Sequence, residues 1–355
     1  MSETIQTAII GVTGYAGAEL ARLLLHHPRL KGRPPVFAGR VDEKDAARGG
    51  VPLGEIHPEL IDSKGSGKLR LQPFSWHLLA DLDVKVLFLA TPHEQSRAWV
   101  PDALARGIRV IDLSAAWRLN EAANRAVYAF EDEGSAQAVT LQAEAVYGMP
   151  ELHRAQIPGA RLVANPGCYA TSVILPLKPL VAAGLIDLDR GIVADSKSGV
   201  SGAGKAPTAK THFMHAADNL SAYGVFTHRH TGELLEQIGL DANSIVFTPH
   251  LLPVPRGILS TIYVRFHKPQ TRANIMHLYR EFFAGSPMVR LHENMLPQIQ
   301  HSVRTNYSDI GFQLSHDGKR AVIVSCLDNL LKGASSQAVQ NLNVMLGWNE
   351  AEGLE

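Results

Sequence analysis

The chain reads as α/β, with a Rossmann-type doubly wound nucleotide-binding domain followed by an α+β domain whose sheet is largely antiparallel. Three observations predict this. Short β-branched runs alternate with helix-period runs through the first part of the sequence, and a glycine-spaced turn joins the first strand to the first helix. From residue 161 onward, strand-like segments follow one another with fewer helices between them. A length of 355 residues exceeds one ordinary core, so two domains are expected. The expected division is residues 1–163 for the dinucleotide domain, completed by a helical segment at 331–355, and 164–330 for the catalytic and oligomerisation domain.

Taken in order, TAIIGV at 7–12 is short, apolar and stopped by glycine, which suits a buried parallel strand. AELARLLLHH at 18–27 has helical periodicity and stops before Pro28. Strands follow at 35–39, 84–91 and 109–114, with helical SRAWVPDALARG between the last two. RLVAN at 161–165 leads into NPGCYAT and the apolar helical run SVILPLKPLVAAG. GIVADSKSG, SIVFTPHLLPV, LSTIYVRFH and RAVIVSCLDN read as the strands of the second sheet. SSQAVQNLNVMLGW at 335–348 is helical, with Ala338, Leu342, Met345 and Leu346 on one stripe that packs back on the first domain.

Composition narrows the function. Thirty-four basic and 34 acidic side chains cancel, and charged residues make up 19% against 45% hydrophobic. Nucleic-acid and membrane-surface proteins usually carry a basic excess, so neutrality points to a small-molecule substrate and away from both. MSETIQTAIIGV lacks the basic start and long apolar core of a secretory signal, and no window is apolar enough to span a membrane. With only Cys168 and Cys326, a reducing, cytoplasmic setting is expected.

Gly11, Gly14 and Gly17 in GVTGYAG have GxxGxxG spacing between strand and helix. There the backbone can approach a pyrophosphate, which the helix N-terminus stabilises, so Gly11, Thr13, Gly14, Tyr15, Ala16 and Gly17 are the expected cofactor contacts. At the end of the second strand, where an NAD site carries an acid, stand Ala38, Gly39 and Arg40. An arginine there meets a 2′-phosphate, which favours NADP, although Asp42 lies close behind.

Cys326 sits in the apolar run AVIVSC and reads as packing. Cys168 follows the turn Asn165, Pro166, Gly167 and opens an apolar helix, where the dipole favours thiolate. That is the setting of a nucleophile. Proton carriers stand in THRHTGELLEQ, with His228 and His230 before a helix and Glu233 inside it. A metal held by the two histidines with His250, His212 or His215 is the other reading, but no third ligand stands at recognisable spacing, and solvated surface histidines are the plainer one. SKSGVSGAGK at 196–205 can wrap a phosphate or nicotinamide with its backbone N–H groups, with Lys205 adding charge. Arg118 follows a strand end, where α/β sheets bind ligands, or else forms a surface ion pair.

GVTGYAGAELARLL, FLATPHEQS, IDLSAAWRL, VYGMPEL, NPGCYAT, SGVSGAGK, HRHTGE, PHLLPVPRGIL and LDNLLKGASSQAVQNLNVMLGW together resemble the N-acetyl-gamma-glutamyl-phosphate reductase family over nearly the whole chain. Met149 stands where the family usually has Leu, and VDEKDAARGG is less typical. The resemblance implies a semialdehyde-dehydrogenase-like fold and NADPH-dependent reduction of N-acetyl-L-glutamyl 5-phosphate in arginine biosynthesis, through a cysteine thioester. It implies Cys168 as nucleophile, with His228 as the better match for the acid/base and His230 binding substrate or sharing the task. Ser198, Ser201, Gly202, Gly204 and Asn329 are then expected near the nicotinamide. Arg118, Asn165, Lys205 and Glu233 are expected at the substrate, and the assembly is expected to be a homodimer or tetramer. The same chemistry on a carrier-bound aminoadipyl or glutamyl phosphate is the nearest alternative. A short-chain dehydrogenase would need YxxxK, which the sequence lacks, and an idle NADP-binding regulator has no use for NPGCY and HRH together.

Overall fold

The computed structural model describes residues 5–355. The chain up to Arg118, Glu131–Asn165 and Ser335–Glu355 form one compact unit; Leu119–Phe130 and Pro166–Ala334 form the other. This differs from the division expected above chiefly at residues 119–130, and by a few residues at 164–165 and 331–334. The reason is a set of polar ties: the N–H groups of Asn120 and Glu121 and the Asn124 amide donate to the Glu236 carboxylate, and the Tyr128 hydroxyl donates to the Arg229 carbonyl.

The first unit holds an eight-stranded sheet of β1 (Gln6–Ile10), β2 (Val36–Gly39), β3 (Val51–Pro52), β4 (Arg70–Pro73), β5 (Val84–Leu89), β6 (Arg109–Asp112), β7 (Val146–Tyr147) and β8 (Leu162–Ala164). Their order is β3-β4-β2-β1-β5-β6-β8-β7, and only β3 runs antiparallel to its neighbour. β1 is central because every residue in it is buried, with Ile9 in register with Phe37 and Phe88. The helix Tyr15–His26 follows β1, buries Leu20, Leu23 and Leu24, and ends ahead of Pro28 as its sequence requires.

The terminal helix Ser336–Met345 belongs to this unit, and all ten of its residues are buried. Its polar residues are therefore not a solvent face. The Gln337 and Asn341 amides donate to the Gly148 carbonyl at 3.1 and 2.7 Å, and the Gln340 amide donates to Glu151 at 2.9 Å. The NH2 groups of these buried amides thus find acceptors inside the core, which offsets part of the cost of burying them.

The second unit holds a seven-stranded sheet of β9 (Ile192–Gly199), β10 (Ser221–Ala222), β11 (Ile245–Leu252), β12 (Ile258–Arg265), β13 (Val289–His292), β14 (Ser308–Leu314) and β15 (Arg320–Leu327). The order is β10-β11-β9-β12-β15-β14-β13. Four of its six pairings are antiparallel, while β9 with β11 and β13 with β14 are parallel, so the sheet is largely antiparallel as the sequence predicts. The helix Cys168–Ala182 packs on β12: Ser172 Oγ lies 2.7 Å from Ser260 Oγ, and the neighbouring Tyr279 hydroxyl donates to the Pro176 carbonyl. β14 is hard to read from sequence because it contains Asp309. Arg290, His292 and Ser302 surround that carboxylate and hold its pKa below the usual range against the cost of its burial.

Candidate active site

In the first unit the three loop glycines have three different reasons. Gly11 has φ of +99°, and a Cβ on it would lie 2.3 Å from the Ala90 carbonyl oxygen. A Cβ on Gly17 would lie 2.1 Å from the Gly11 carbonyl oxygen, so this glycine lets the helix meet the loop. Gly14 is the N-cap of the helix, and its Cβ position meets nothing nearer than the Gly11 oxygen at 3.6 Å. Open space in front of free helix N–H groups fits an approaching pyrophosphate. The loop is tied from behind by His57, whose Nε2 lies 2.8 Å from the Val12 carbonyl oxygen. Arg40 is exposed just past the last residue of β2, while the Asp42 carboxylate turns away to cap the next helix by accepting the Asp45 N–H at 2.8 Å.

Arg118 and Asn165 also lie in the first unit, and both are buried. Arg118 Nε donates to the Asn165 carbonyl at 2.7 Å and Nη2 to the Leu113 carbonyl at 2.8 Å, so much of the guanidinium braces the strand ends. Asn165 accepts the Asn341 amide at 3.0 Å.

In the second unit Cys168 opens its helix, half-buried, with Gly167 as N-cap at φ −73° and ψ 146°. Among the described residues no disulfide joins it to Cys326, which lies in the core with its thiol pushed up to about 12 by burial. Gly167 is where the candidate groups converge. Its N–H donates to Glu233 Oε2 at 2.9 Å, and a Cβ there would meet His230 Nε2 at 2.6 Å and Glu233 Oε1 at 2.7 Å. His230 and Glu233 are both buried, with Nε2 and Oε1 4.0 Å apart. Behind Cys168, a Cβ on Gly333 would lie 2.7 Å from the Cys168 Cβ, so Gly333 lets the π-helical turn Leu331–Ser335 pass the cysteine; that glycine went unnoticed in the sequence.

His228 is placed differently. Its ring is enclosed by Tyr169, Tyr223, Phe247 and His230, at centroid distances of 5.6, 5.5, 5.4 and 4.8 Å. Burial in that box, with a smaller contribution from the Arg229 charge, holds its pKa down at about 4. Its Nδ1 accepts the His230 N–H at 3.1 Å, which leaves the proton of the neutral ring on Nε2. Tyr169, next to Cys168, donates its hydroxyl to the His250 carbonyl, and burial raises the pKa of that phenol.

The serine- and glycine-rich loop forms a second cluster of this unit. Asn329 is buried, accepts the Gly257 N–H at 2.7 Å and donates to Ser201 Oγ at 2.9 Å. Ser198 ends β9, and a Cβ on Gly202 would lie 3.0 Å from Ser198 Oγ. Gly204 has φ of +91°, and Lys205 beyond it is exposed. The sequence also gave no warning of Asp328, fully buried beside Asn329, whose carboxylate holds Arg256 at 3.0 Å and the N–H of Arg304 at 2.7 Å. Among the described residues no group of three or more His, Cys, Asp or Glu side chains is arranged to hold a metal. His212 instead caps a short helix, and His250 pairs with Asp195 at 3.1 Å.

Two family models match the chain: the semialdehyde dehydrogenase NAD-binding domain over residues 6–160 and the semialdehyde dehydrogenase dimerisation domain over residues 168–329. An aspartate semialdehyde dehydrogenase II from Vibrio cholerae shares the fold at a TM-score of 0.70 and 19% identity, covering 98% of this chain and 99% of its own. Fold and site together define an oxidoreductase of the semialdehyde dehydrogenase class. Within that class, proteins named N-acetyl-gamma-glutamyl-phosphate reductase from Desulforapulum autotrophicum and Desulfotalea psychrophila are 42% and 43% identical, each over 99% of this chain and 98% of the relative. The chain belongs to the N-acetyl-gamma-glutamyl-phosphate reductase family.

Proposed function

We propose that the chain reduces N-acetyl-L-glutamyl 5-phosphate to N-acetyl-L-glutamate 5-semialdehyde and phosphate with NADPH, a step of arginine biosynthesis. The observation that carries this reading is the convergence of His230 and Glu233 on Gly167, one residue before a helix-opening cysteine. The helix N-terminus favours the Cys168 thiolate, and His230 takes its proton. The thiolate attacks the acyl carbonyl, the N–H groups of the helix start stabilise the oxyanion, and the C–O bond to phosphate breaks as His230 returns a proton to the leaving group. A thioester on Cys168 remains. A dinucleotide held by the Gly11–Gly17 loop and Arg40 would supply hydride to the thioester carbonyl. Breaking the C–S bond then frees the aldehyde and regenerates the thiolate, so one proton is taken up per turnover.

His230 is the proton carrier in this reading, although the family pattern pointed first to His228. What supports the exchange is that His230 lies against the helix start, whereas His228 is boxed by aromatic rings and fixes the backbone of His230. Glu233 accepts the Gly167 N–H and sets its carboxylate 4.0 Å from His230 Nε2, where its charge favours the protonated ring. An exposed Arg40, with Asp42 occupied in capping, supports NADP over NAD. The match to a dimerisation domain supports a homodimer. No described helix is long and apolar enough to cross a membrane, and a working thiol suits a reducing compartment, which together support a cytoplasmic enzyme.

The test is phosphate-dependent reduction of NADP by N-acetylglutamate 5-semialdehyde, the reverse reaction, with wild type, Cys168→Ser, His230→Gln and His228→Gln. Cys168→Ser is expected to be inactive and His230→Gln to lose roughly a hundredfold or more in kcat. Wild-type activity in Cys168→Ser, or no activity of the wild type on the free N-acetyl substrate, refutes the reading; the second result points to a carrier-bound substrate.

A further inference from the structure

Three serines occupy one buried row across the second sheet. Ser196 on β9, Ser260 on β12 and Ser325 on β15 are in register with one another, and each is 0% exposed. Ser196 follows the inward Ile192 and Ala194 of its strand, and Ser260 stands between the inward Ile258 and Ile262 of its own. A hydroxyl in such a place costs free energy unless it is bonded. Ser196 and Ser260 are bonded, and the bonds lead to the helix that Cys168 opens. Ser196 Oγ lies 2.7 Å from Ser260 Oγ, Ser260 Oγ lies 2.7 Å from Ser172 Oγ, and Ser172 Oγ donates to the Tyr169 carbonyl at 2.8 Å. Ser325 Oγ, on the other side of Ser260, has no partner among the described residues.

Proton counting fixes the direction of this chain. A hydroxyl has one proton to give. Ser172 gives its own to Tyr169, so Ser260 donates to Ser172 and Ser196 donates to Ser260. Every bond then points towards the carbonyl, an arrangement in which each strengthens the next by about 10–30%. The amide that receives the chain joins the Tyr169 carbonyl to the Ala170 N–H. Electron density drawn to its oxygen leaves its nitrogen poorer, which makes that N–H a stronger donor.

Ala170 stands where a stronger donor matters. The Thr171 N–H bonds the Gly167 carbonyl at 3.0 Å, so the N–H groups of Cys168, Tyr169 and Ala170 precede the first turn of the helix and have no helical carbonyl to meet. These are the groups that stabilise the thiolate and the oxyanion in the reaction proposed above. We infer that Ser172, Ser260 and Ser196 are positioning residues, a directed hydroxyl chain that polarises the Tyr169–Ala170 amide and so strengthens the anion-stabilising start of the Cys168 helix. The inference rests on the reading of Cys168 as nucleophile and adds which residues behind the helix tune it.

The test follows the pH dependence of Cys168 alkylation by iodoacetamide, read by mass spectrometry of the Cys168 peptide, beside kcat, KM and thermal unfolding. Full-length Ser172→Ala, Ser172→Thr, Ser196→Ala and Ser325→Ala are compared with wild type. Ser172→Ala removes the last bond of the chain, and the midpoint of its alkylation profile is expected to rise by about 0.5 pH unit, so that labelling below the midpoint slows about threefold. Its kcat is expected to fall about three- to tenfold while KM holds. Ser172→Thr keeps the hydroxyl and is expected to restore both. Ser196→Ala, two bonds away and off the helix, is expected to move the profile in the same direction by less. Ser325→Ala removes a buried hydroxyl from the same row but outside the chain, and is expected to match wild type in profile and kcat. An unmoved profile in a folded Ser172→Ala, or an equal shift in Ser325→Ala, overturns the inference whatever happens to Tm. If Ser172→Ala does not fold, Ser196→Ala decides: a shift supports the chain and an unmoved profile overturns it. A wild type without reductase turnover refutes the reaction proposed above, and the alkylation profiles still decide the hydroxyl chain.

Discussion

Gly167→Ala isolates the contact on which the proposed chemistry turns. Its φ of −73° and ψ of 146° suit alanine as well as glycine, so the backbone itself is not strained by the change. The new Cβ, however, would stand 2.6 Å from His230 Nε2 and 2.7 Å from Glu233 Oε1, where ordinary contact begins at 3.4 Å. The ring and the carboxylate must each retreat by about 0.8 Å, and neither can move freely because both are buried. Overpacking of this kind costs about 1–3 kcal/mol, which for a unit of this size lowers Tm by roughly 5 °C. A displacement near 1 Å in a catalytic group costs on the order of a hundredfold in rate. The expected result is therefore a modest loss of stability with kcat down about a hundredfold and substrate KM changed far less. Stopped-flow and steady-state reduction, read beside thermal unfolding, measure both. If Tm falls as expected and kcat does not, His230 and Glu233 do not serve the thiol, and the assignment fails.

The glycine loop separates in the same way: Gly17→Ala should destabilise the protein severely, because its Cβ meets backbone at 2.1 Å, whereas Gly14→Ala should fold normally and weaken dinucleotide binding about tenfold, measured by fluorescence titration. Arg40→Ser should raise KM for NADPH by roughly tenfold or more while leaving NADH nearly unaffected; equal effects on both would remove the 2′-phosphate contact. For His228 the folded pKa of about 4 lies below the unfolded value of 6.5, so between those pH values the unfolded state binds the extra proton. Stability should accordingly fall as pH drops from about 6.5 towards 4, and His228→Asn should flatten that part of the curve of urea midpoint against pH.

The apolar strands β1, β5, β12 and β15 were legible because hydrophobic period and β-branching report burial directly. β14 was not, because Asp309 makes its sequence look polar and the groups that compensate it lie on other elements. The same limit applied to the site. Cys168 stands out locally as the opening residue of an apolar helix, whereas the choice between His228 and His230 depends on packing against Gly167, Tyr169 and Phe247 from distant parts of the chain. Residues 119–130 follow a first-unit strand in sequence, yet Glu236 ties them to the second unit, a link that no periodicity encodes.

The terminal helix imposes an order of events on biosynthesis. A ribosome finishes β8 and then makes Pro166–Ala334, nearly all of the second unit, before it reaches Ser336–Met345, a delay of roughly 10–40 s at ordinary elongation rates. Until then the first-unit groups that the helix amides reach, the Gly148 carbonyl and the Glu151 carboxylate, lack those partners. The nucleotide-binding half, though translated first, closes last. A premature stop at or before codon 337 would leave it without the buried amides of Gln337, Gln340 and Asn341, and quality control rather than catalysis would register the loss.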